Sequence, residues 1–182
     1  MSEIEIRTVR EEDAPSFCST VDAVAQEGRW LGGSKGKALE EAQAYITENL
    51  AAENPHFVAV DHADPKTIIG WADIVRMLPE SRRHCGILGM GLLPDRRGKG
   101  LGRALLAAAL EHADALPMDR VELSVVADNT AGIVLYERMG FLHEGVRRRA
   151  WQIGERTRDL VMMARTHPDL LPEIMENTAS TV

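Results

Sequence analysis

The sequence lacks several features that would place it in a specialised class of proteins. No apolar run approaches the ~18 residues that a transmembrane helix needs, and residues 1–5 are acidic, without the apolar stretch of a signal peptide. Its two cysteines, Cys18 and Cys85, lie far apart and match no metal-binding spacing, so each is expected to be a small core residue. The histidines form no metal-site pattern either. These absences predict a cytoplasmic, reduced protein with no membrane contact and no metal.

The chain also lacks a basic excess. Lysine and arginine number 21 against 28 acidic residues, which gives a formal net charge of -7, and this balance argues against general nucleic-acid binding. It is weakly compatible with a cationic substrate such as an amine, but a solvated acidic surface is the better explanation. At 182 residues and 45% hydrophobic content, the chain is expected to form one domain with a real core.

Hydrophobic periodicity predicts eleven elements in the order β-α-α-β-β-β-α-β-α-β-β. Glycine, proline and asparagine mark most of their ends. The strands are predicted at 4–9, 56–60, 67–77, 84–92, 120–126, 141–148 and 160–164, and the helices at 12–27, 37–54, 103–116 and 129–139. Residues 32–36 read as a flexible loop, and residues 167–182 as an appended tail after a domain at 1–166. The fold class is therefore α/β with a mixed sheet.

The most informative segment runs from Gly89 to Arg103, from an apolar strand through a glycine-rich turn into a helix. A glycine-rich loop that opens a helix leaves backbone N–H groups free beside the positive end of the helix dipole, which favours a pyrophosphate. Arg96, Arg97, Lys99 and Arg103 place four cations within eight residues of an acidic chain. The segment predicts an anionic phosphate ligand, most simply a nucleotide-bearing cofactor.

The glycine spacing separates the known kinds of phosphate loop. A Walker loop needs G-x-x-x-x-G-K followed by Ser or Thr, but Gly98-Lys99 is followed by Gly100. A dinucleotide loop needs G-x-G-x-x-G, and the third glycine is missing from both registers that the sequence allows. What remains is R-x-x-G-x-G, from Arg97 to Gly102.

This pattern resembles the acetyl-CoA loop [Q/R]-x-x-G-x-[G/A] of the GNAT family of N-acetyltransferases. The segment Asn129–Phe141 is similar to that family's N-x-x-A-x-x-L-Y-x-x-x-G-F motif, with Gly132 where alanine is usual. The run from Gly140 to Ala164 resembles the branch that contains ribosomal-protein-alanine, polyamine and amino-acid N-acetyltransferases. The resemblance covers roughly residues 4–165. It implies a GNAT fold, with a mixed, mostly antiparallel central sheet flanked by helices and a splayed, bulged cofactor strand.

The resemblance implies acetyl-CoA as the cofactor and assigns its binding residues. The cofactor strand would offer N–H groups to the pantetheine and the thioester oxygen, while the loop would hold the pyrophosphate. Asn129 is expected to reach the cofactor, or to serve as a plain helix cap. The cofactor-binding set is Met90, Gly91, Leu92, Arg97, Gly98, Lys99, Gly100, Leu101, Gly102, Arg103, Asn129 and Tyr136.

Tyr136 occupies the position at which the family uses a tyrosine as general acid, so it is expected to protonate the departing thiolate. A catalytic base is harder to assign. Ile87 stands where many family members carry glutamate on the cofactor strand. His84 is a candidate base and acceptor-site residue with a suitable pKa, or else an exposed residue at the strand end. A water chain to bulk solvent would need no dedicated base.

On the acceptor side, Glu27 and Trp30 lie in the loop that lines the acceptor pocket in relatives. Glu27 would bind a substrate ammonium or be a solvated helix end. The arginines 147–149 would hold an acidic substrate group or belong to a solvated edge strand. The expected reaction is direct transfer of an acetyl group to a small-molecule or peptide amine in a ternary complex, with a homodimer as a further expectation. The alternative is a non-catalytic acyl-CoA-binding module.

Overall fold

A computed structural model describes residues 4–32, 36 and 38–170 of the chain. Seven strands and four helices follow one another in the predicted order. The strands are β1 (Ile4–Thr8), β2 (His56–Asp61), β3 (Asp64–Arg76), β4 (Cys85–Leu92), β5 (Arg120–Val126), β6 (Leu142–Ile153) and β7 (Arg156–Thr166). The helices are α1 (Ala14–Gln26), α2 (Leu39–Ala51), α3 (Leu101–Asp114) and α4 (Thr130–Arg138). No helix of the described part is long and apolar enough to cross a membrane.

The strands form one sheet in the order β1-β2-β3-β4-β5-β7-β6. All neighbours are antiparallel except β4 and β5, which are parallel. This confirms the mixed, mostly antiparallel sheet. The last two strands were predicted too short, at 141–148 and 160–164. Strand β6 is the edge strand and β7 lies beside it, and the ends of both strands near their connecting turn have a polar, arginine-rich sequence without hydrophobic alternation to reveal them.

Helices cover both faces of the sheet. On one face, α3 buries Leu105, Leu106 and Ala109 completely against the central strands. On the other face, α1 and α2 contribute Phe17 and Ile46 to a second cluster with strand residues. The helical spacing that predicted these elements is therefore the spacing of their buried faces.

Strands β4 and β5 separate after a short paired stretch. Their pairing covers only Cys85–Ile87 against Arg120–Glu122, so the remainder of β4 diverges from its neighbour and opens a cleft. The splayed strand that was predicted is thus present. The predicted bulge is not, because β4 pairs with β3 residue for residue from Gly86 to Leu92 without a register shift.

The glycines of β4 instead make room for large side chains of β3. A Cβ on Gly91 would lie 2.3 Å from the Trp71 ring, and one on Gly89 would lie 3.0 Å from Asp73 Oδ1. A normal Cβ contact is longer than either distance, so these positions accept only glycine without repacking. The signal that predicted a bulge was real, but its cause is cross-strand packing.

Two predicted segments lie partly outside the described residues. Residues 33–35 of the predicted loop, residue 37 at the predicted start of the second helix, and residues 171–182 of the predicted tail are not among them. The described start of that tail contacts the domain, because His167 N–H donates to Asp119 O at 2.7 Å. A 3-10 turn follows at Pro168–Leu170.

Candidate functional site

The glycine loop and the start of α3 form one side of the cleft. Gly98 and Gly100 have φ angles of +73° and +82°, and a Cβ on either would meet nothing within 4 Å. These glycines are therefore required by backbone conformation, in open space where a ligand could approach the chain closely. The helix begins at Leu101, whose side chain is buried in the core, so only its backbone faces the loop. The N–H groups of this first turn have no partner within the helix, which suits an anion.

The four cations of the segment are held in different ways. Arg97 forms a forked ion pair with Glu27 and donates to Leu92 O at 3.0 and 2.8 Å. Lys99 Nζ donates to Asp95 O at 2.9 Å. Arg96 pairs with Asp61 at 3.2 Å, and Arg103 is exposed on the first turn of α3.

The Arg97–Glu27 pair connects the loop to the end of α1, seventy positions earlier in the chain. Arg97 was expected to bind the pyrophosphate and Glu27 a substrate ammonium, but the structure pairs the two side chains with each other. For Arg97 to bind a phosphate it would have to share its guanidinium with Glu27. The backbone amides of the loop need no such rearrangement.

The free edge of β4 forms the floor of the cleft. Leu93 N–H donates to Ile69 O of β3 at 3.0 Å, and hydrogen-bonding directions alternate along a strand. The N–H and C=O groups of Met90 and Leu92 therefore point to the opposite edge. The pairing of that edge with β5 ends at Ile87, so these groups lie on the cleft side, where the Leu92 carbonyl accepts from Arg97. By the same alternation Gly91 faces β3, and its contribution is space for a neighbour rather than a hydrogen bond.

Close packing at Gly102 brings α3, α4 and β4 together. A Cβ on Gly102 would lie 3.2 Å from Leu92, 3.4 Å from Leu135 and 3.7 Å from Met90. Since Leu135 precedes Tyr136 in α4, this junction joins the glycine loop, the cofactor strand and the helix that carries the predicted acid. The first motif ends at Gly102 and the second begins at Asn129, 27 positions later, yet both belong to one cleft.

Tyr136 is partly buried against the α3-side core, with its ring 5.9 Å from that of Phe141 in an edge-on arrangement. Burial raises the pKa of its phenol to about 12, because the charged form would lose hydration. The hydroxyl is therefore protonated throughout the neutral range, the state that a proton donor requires.

Asn129 caps α4, its Oδ1 accepting a hydrogen bond from Gly132 N–H at 3.0 Å. A Cβ on Gly132 would lie 2.9 Å from Asn129 Nδ2. The glycine that replaces the family's usual alanine thus leaves room for this capping amide. The cap positions Asn129 at the start of α4, and the adjacent Asp128 borders a cavity.

That cavity has a volume of about 500 Å³ and lies beside the cleft. The end of α1, the residue before Asn129 and the tip of the β6–β7 hairpin form its walls. It is lined by Glu27, Gly28, Arg29, Asp128, Trp151, Ile153, Arg156 and Arg158. Of these, sequence reasoning singled out Glu27 alone. The repeated arginines and the tryptophan in the hairpin were a usable signal, but their approach to α1 is a long-range contact.

The other predicted acceptor residues are placed differently. Trp30 lies next to the cavity wall, with the guanidinium of Arg29 stacked 4.6 Å above its ring. His84 is exposed and precedes β4 at the end away from the loop, roughly 20 Å from Met90 along an extended strand. The structure does not bring His84 into the cleft. Nor do arginines 147–149 line the cavity: Arg148 is exposed and pairs with Asp159 at 2.8 Å.

One buried carboxylate near the cleft escaped sequence reasoning. Asp73 lies opposite Gly89 in the β3–β4 register, and Tyr45 OH donates to it at 2.8 Å. Ile87, where the family often has glutamate, is 48% exposed and lies on the same face of β4 as Gly89. Asp73 itself is only 4% exposed. No group of metal-ligating side chains occurs among the residues that the structure describes.

A splayed parallel pair, a glycine loop at a helix start and a buried tyrosine on the next helix define an acyl-CoA-type site in this fold. The family model described as "Acetyltransferase (GNAT) family" matches residues 22–141. The chain therefore belongs to the GNAT acetyltransferase family, whose cofactor is acetyl-CoA.

Curated relatives cover part of the chain. A mycothiol acetyltransferase of Salinispora tropica is 41% identical over 117 residues, which is 64% of this chain and 36% of that protein. One from Kocuria rhizophila is 36% identical over 86 residues, 46% of this chain and 28% of that protein. The N-alpha-acetyltransferase RimI of Mycobacterium tuberculosis is 31% identical over 110 residues, 60% of this chain and 66% of that protein. The chain thus matches only about a third of the length of these mycothiol acetyltransferases.

Solved structures share the fold. A ribosomal-protein-alanine N-acetyltransferase from Brucella melitensis superposes with a TM-score of 0.82 at 24% identity, over 89% of this chain and 99% of that one. A putative acetyltransferase from Salmonella typhimurium, solved with its cofactor acetyl-CoA, gives a TM-score of 0.84 at 17% identity, over 91% and 95%. At these identities the likeness shows the fold alone.

Proposed function

We propose that this protein transfers the acetyl group of acetyl-CoA to an amine by direct attack in a ternary complex. The observation that carries the proposal is the continuity of the cleft. The free edge of β4 leads into the open glycine loop at the start of α3, and the protonated Tyr136 lies on the helix packed beside them.

On the donor side, the residues of this cleft fit an extended chain that ends in a pyrophosphate. The outward N–H and C=O of Met90 and the N–H of Leu92 offer a strand edge to the amide groups of a pantetheine arm, while the Leu92 carbonyl is held by Arg97. Gly98, Gly100 and Gly102 leave the backbone of the loop open for the pyrophosphate oxygens. Lys99 and Arg103 are exposed beside it and add positive charge.

When bound, acetyl-CoA supplies an activated acyl group: a carbonyl carbon open to attack and a sulfur that can leave. The amine nitrogen would form the new C–N bond as the C–S bond breaks, and the excess proton on this nitrogen would then pass to water in the cavity. A backbone N–H of the β4 edge stabilises the charge that develops on the carbonyl oxygen. Tyr136 gives its proton to the sulfur and recovers one from solvent. No covalent intermediate on the enzyme is needed, because the amine itself is the nucleophile.

The attacking amine must first lose its own proton. Ile87 cannot accept it, His84 lies outside the cleft, and Asp73 is almost inaccessible and already receives the Tyr45 hydroxyl. We assign the proton to water in the cavity of about 500 Å³, which opens onto solvent beside the cleft. The cavity is also the proposed acceptor pocket.

An assay of free CoA release tests this function. Purified protein and acetyl-CoA would be incubated with amino acids, polyamines, aminoglycosides and peptides, including peptides with the alanine N-terminus of ribosomal proteins. Release that depends on one class of amine supports the proposal, and Tyr136→Phe should remove most of it. Tight acetyl-CoA binding with no release for any amine would favour the alternative, a non-catalytic acyl-CoA-binding module.

A further inference from the structure

We propose that the acceptor amine carries an anionic group, and that Arg29, Arg156 and Arg158 bind this group in the cavity between α1 and the β6–β7 hairpin. This inference rests on the proposed function, because it treats the cavity as the acceptor pocket. It goes further by naming the substrate class: an amine that also bears a carboxylate or a phosphate-like oxyanion.

The charge around the cavity favours an anion. Three arginines line it against two carboxylates, Glu27 and Asp128. Glu27 is already neutralised by the fork of Arg97. Asp128 lies 3.4 Å from Arg158, a long contact. In a chain with a formal net charge of -7, this positive excess is local.

Two of the three guanidinium groups have no carboxylate partner. Among the residues that the structure describes, no acidic oxygen lies within 4 Å of Arg29 or Arg156, although other arginines of this part of the chain form eleven pairs with carboxylates. Arg29 is held instead over the face of Trp30. Arg158 donates to the Arg29 carbonyl at 3.4 Å. All three arginines line the same cavity, and their planar donor forks suit a carboxylate or phosphate.

A tryptophan of the hairpin belongs to the same wall. Trp151 lines the cavity, and its Nε1 is buried without a hydrogen-bond partner among the described residues. Trp151 and Ile153 also give the pocket apolar surface for the carbon skeleton of the acceptor.

The position of the cavity orients such a ligand. Its inner end is marked by Glu27, which is tied through Arg97 to the cofactor loop, and by Asp128, next to the cap of α4. Its outer end is the hairpin, with Arg156 at the start of β7. An amine directed to the cleft would leave its anionic group among the arginines. An amino-acid carboxylate and an acidic side chain of a peptide share this chemistry.

The test uses acceptors in matched pairs, each acid beside its neutral amide: free amino acids with amino-acid amides, and acidic peptides with their glutamine or asparagine counterparts. The wild-type protein should prefer the acid of one pair by tenfold or more in kcat/KM. The pair that shows the preference distinguishes the two sources of the anion.

Arg156→Gln and Arg29→Gln should each lower kcat/KM for the acid by roughly 10- to 100-fold, the scale of one charge-assisted contact, with the amide nearly unchanged. Arg148→Gln is the matched control, since Arg148 lies on the same hairpin, outside the cavity. Arg148→Gln should leave kcat/KM unchanged for both the acid and the amide. The affinity for acetyl-CoA, measured by calorimetry, should stay constant in all three variants.

The outcomes separate this inference from the proposed function. Acids and amides acetylated equally well by the wild-type protein would overturn the anionic subsite and leave the acetyltransferase intact. Equal losses for acid and amide in Arg156→Gln would also overturn it, as they would show a structural role. If no amine of either kind is acetylated, the proposed function itself fails.

Discussion

Among single residues, Tyr136 is the proposed proton donor to the leaving sulfur. Its pKa of about 12 lies above the ordinary value of 10. Burial favours the neutral phenol in the folded protein. The contribution of Tyr136 to the free energy of unfolding is therefore complete below pH 10 and is lost as the pH rises through 12. The phenol is thus a stable proton donor at any physiological pH.

Tyr136→Phe should therefore lower kcat by about 100-fold or more, the usual scale for one general acid. The phenylalanine ring keeps the contact with Phe141, so the fold and the dissociation constant of acetyl-CoA should change little. Steady-state kinetics with a saturating amine, together with calorimetry for acetyl-CoA, would measure both. An unchanged kcat under conditions where chemistry limits the rate would leave solvent as the proton source.

A substitution at Gly100 tests whether the glycine loop binds the cofactor. Gly100→Val should abolish measurable acetyl-CoA binding in calorimetry, because its side chain would fill the open space beside the backbone N–H groups. Its φ of +82° also makes the substitution strained. Gly140→Val is a matched control, since Gly140 has a φ of +88° at the end of α4. Comparable loss of binding in both variants would attribute the effect to strain alone.

Within the elements, His56 at the start of β2 is the buried titratable group with the clearest effect on stability. It is fully buried, its ring packs against Phe17 and Tyr45, and Asn49 Nδ2 lies 3.5 Å from its Nδ1. Desolvation lowers the pKa of His56 from 6.5 to about 4. The imidazole is therefore neutral in the folded protein at neutral pH.

A histidine with a lowered pKa stabilises the fold above its unfolded pKa, and this stabilisation is lost as the pH falls from 6.5 to 4. The free energy of unfolding should drop by about 3 kcal/mol over this interval from His56 alone, on the basis of ~1.4 kcal/mol per pKa unit. Urea denaturation at pH 7, 5.5 and 4.5 would measure it. His56→Gln, which cannot titrate, should start less stable but show a flatter pH profile. An equal slope in both proteins would assign the acid sensitivity to other groups.

For the whole molecule, the donor site spans elements from both halves of the chain. It joins β4, the loop, the first turn of α3 and α4 across the splayed pair. Binding at such a junction stabilises the folded state by mass action, because the unfolded chain has no cleft. The described residues up to Leu170 are proposed to act as one catalytic domain, and His167 contacts Asp119, just before β5, and Asp114 at the end of α3.

Acetyl-CoA at 100 times its dissociation constant should add about 2.7 kcal/mol to the free energy of unfolding. For a chain of this size that corresponds to a rise in Tm of roughly 5–10 °C. Differential scanning calorimetry with and without acetyl-CoA would show the shift. Tyr136→Phe should retain it and Gly100→Val should lose it. If saturating acetyl-CoA left the Tm of the wild-type protein unchanged, the assignment of the cleft as the acetyl-CoA site would be contradicted.

Much of the fold and of the donor site could be predicted from the sequence. The order of elements, the glycine loop at the start of α3 and Tyr136 within its motif all depend on residues close together in the chain. Helical and strand periodicity, the positive φ of Gly98 and Gly100, and the cap at Asn129 are local properties that a contiguous segment encodes.

Only the tertiary structure determines which residues form the proposed acceptor pocket. Arg97 and Glu27 are seventy positions apart, and only the folding of α1 against the loop makes them partners. The cavity likewise requires the β6–β7 hairpin to meet the end of α1, which brings Arg156 and Arg158 next to Arg29. The same packing leaves His84 at the far end of β4. It also places the Trp71 ring where a side chain at position 91 would lie, which is why that position is glycine. Contacts between distant segments leave no periodic signal in the chain, so these features follow from packing across the sheet and not from any one stretch of residues.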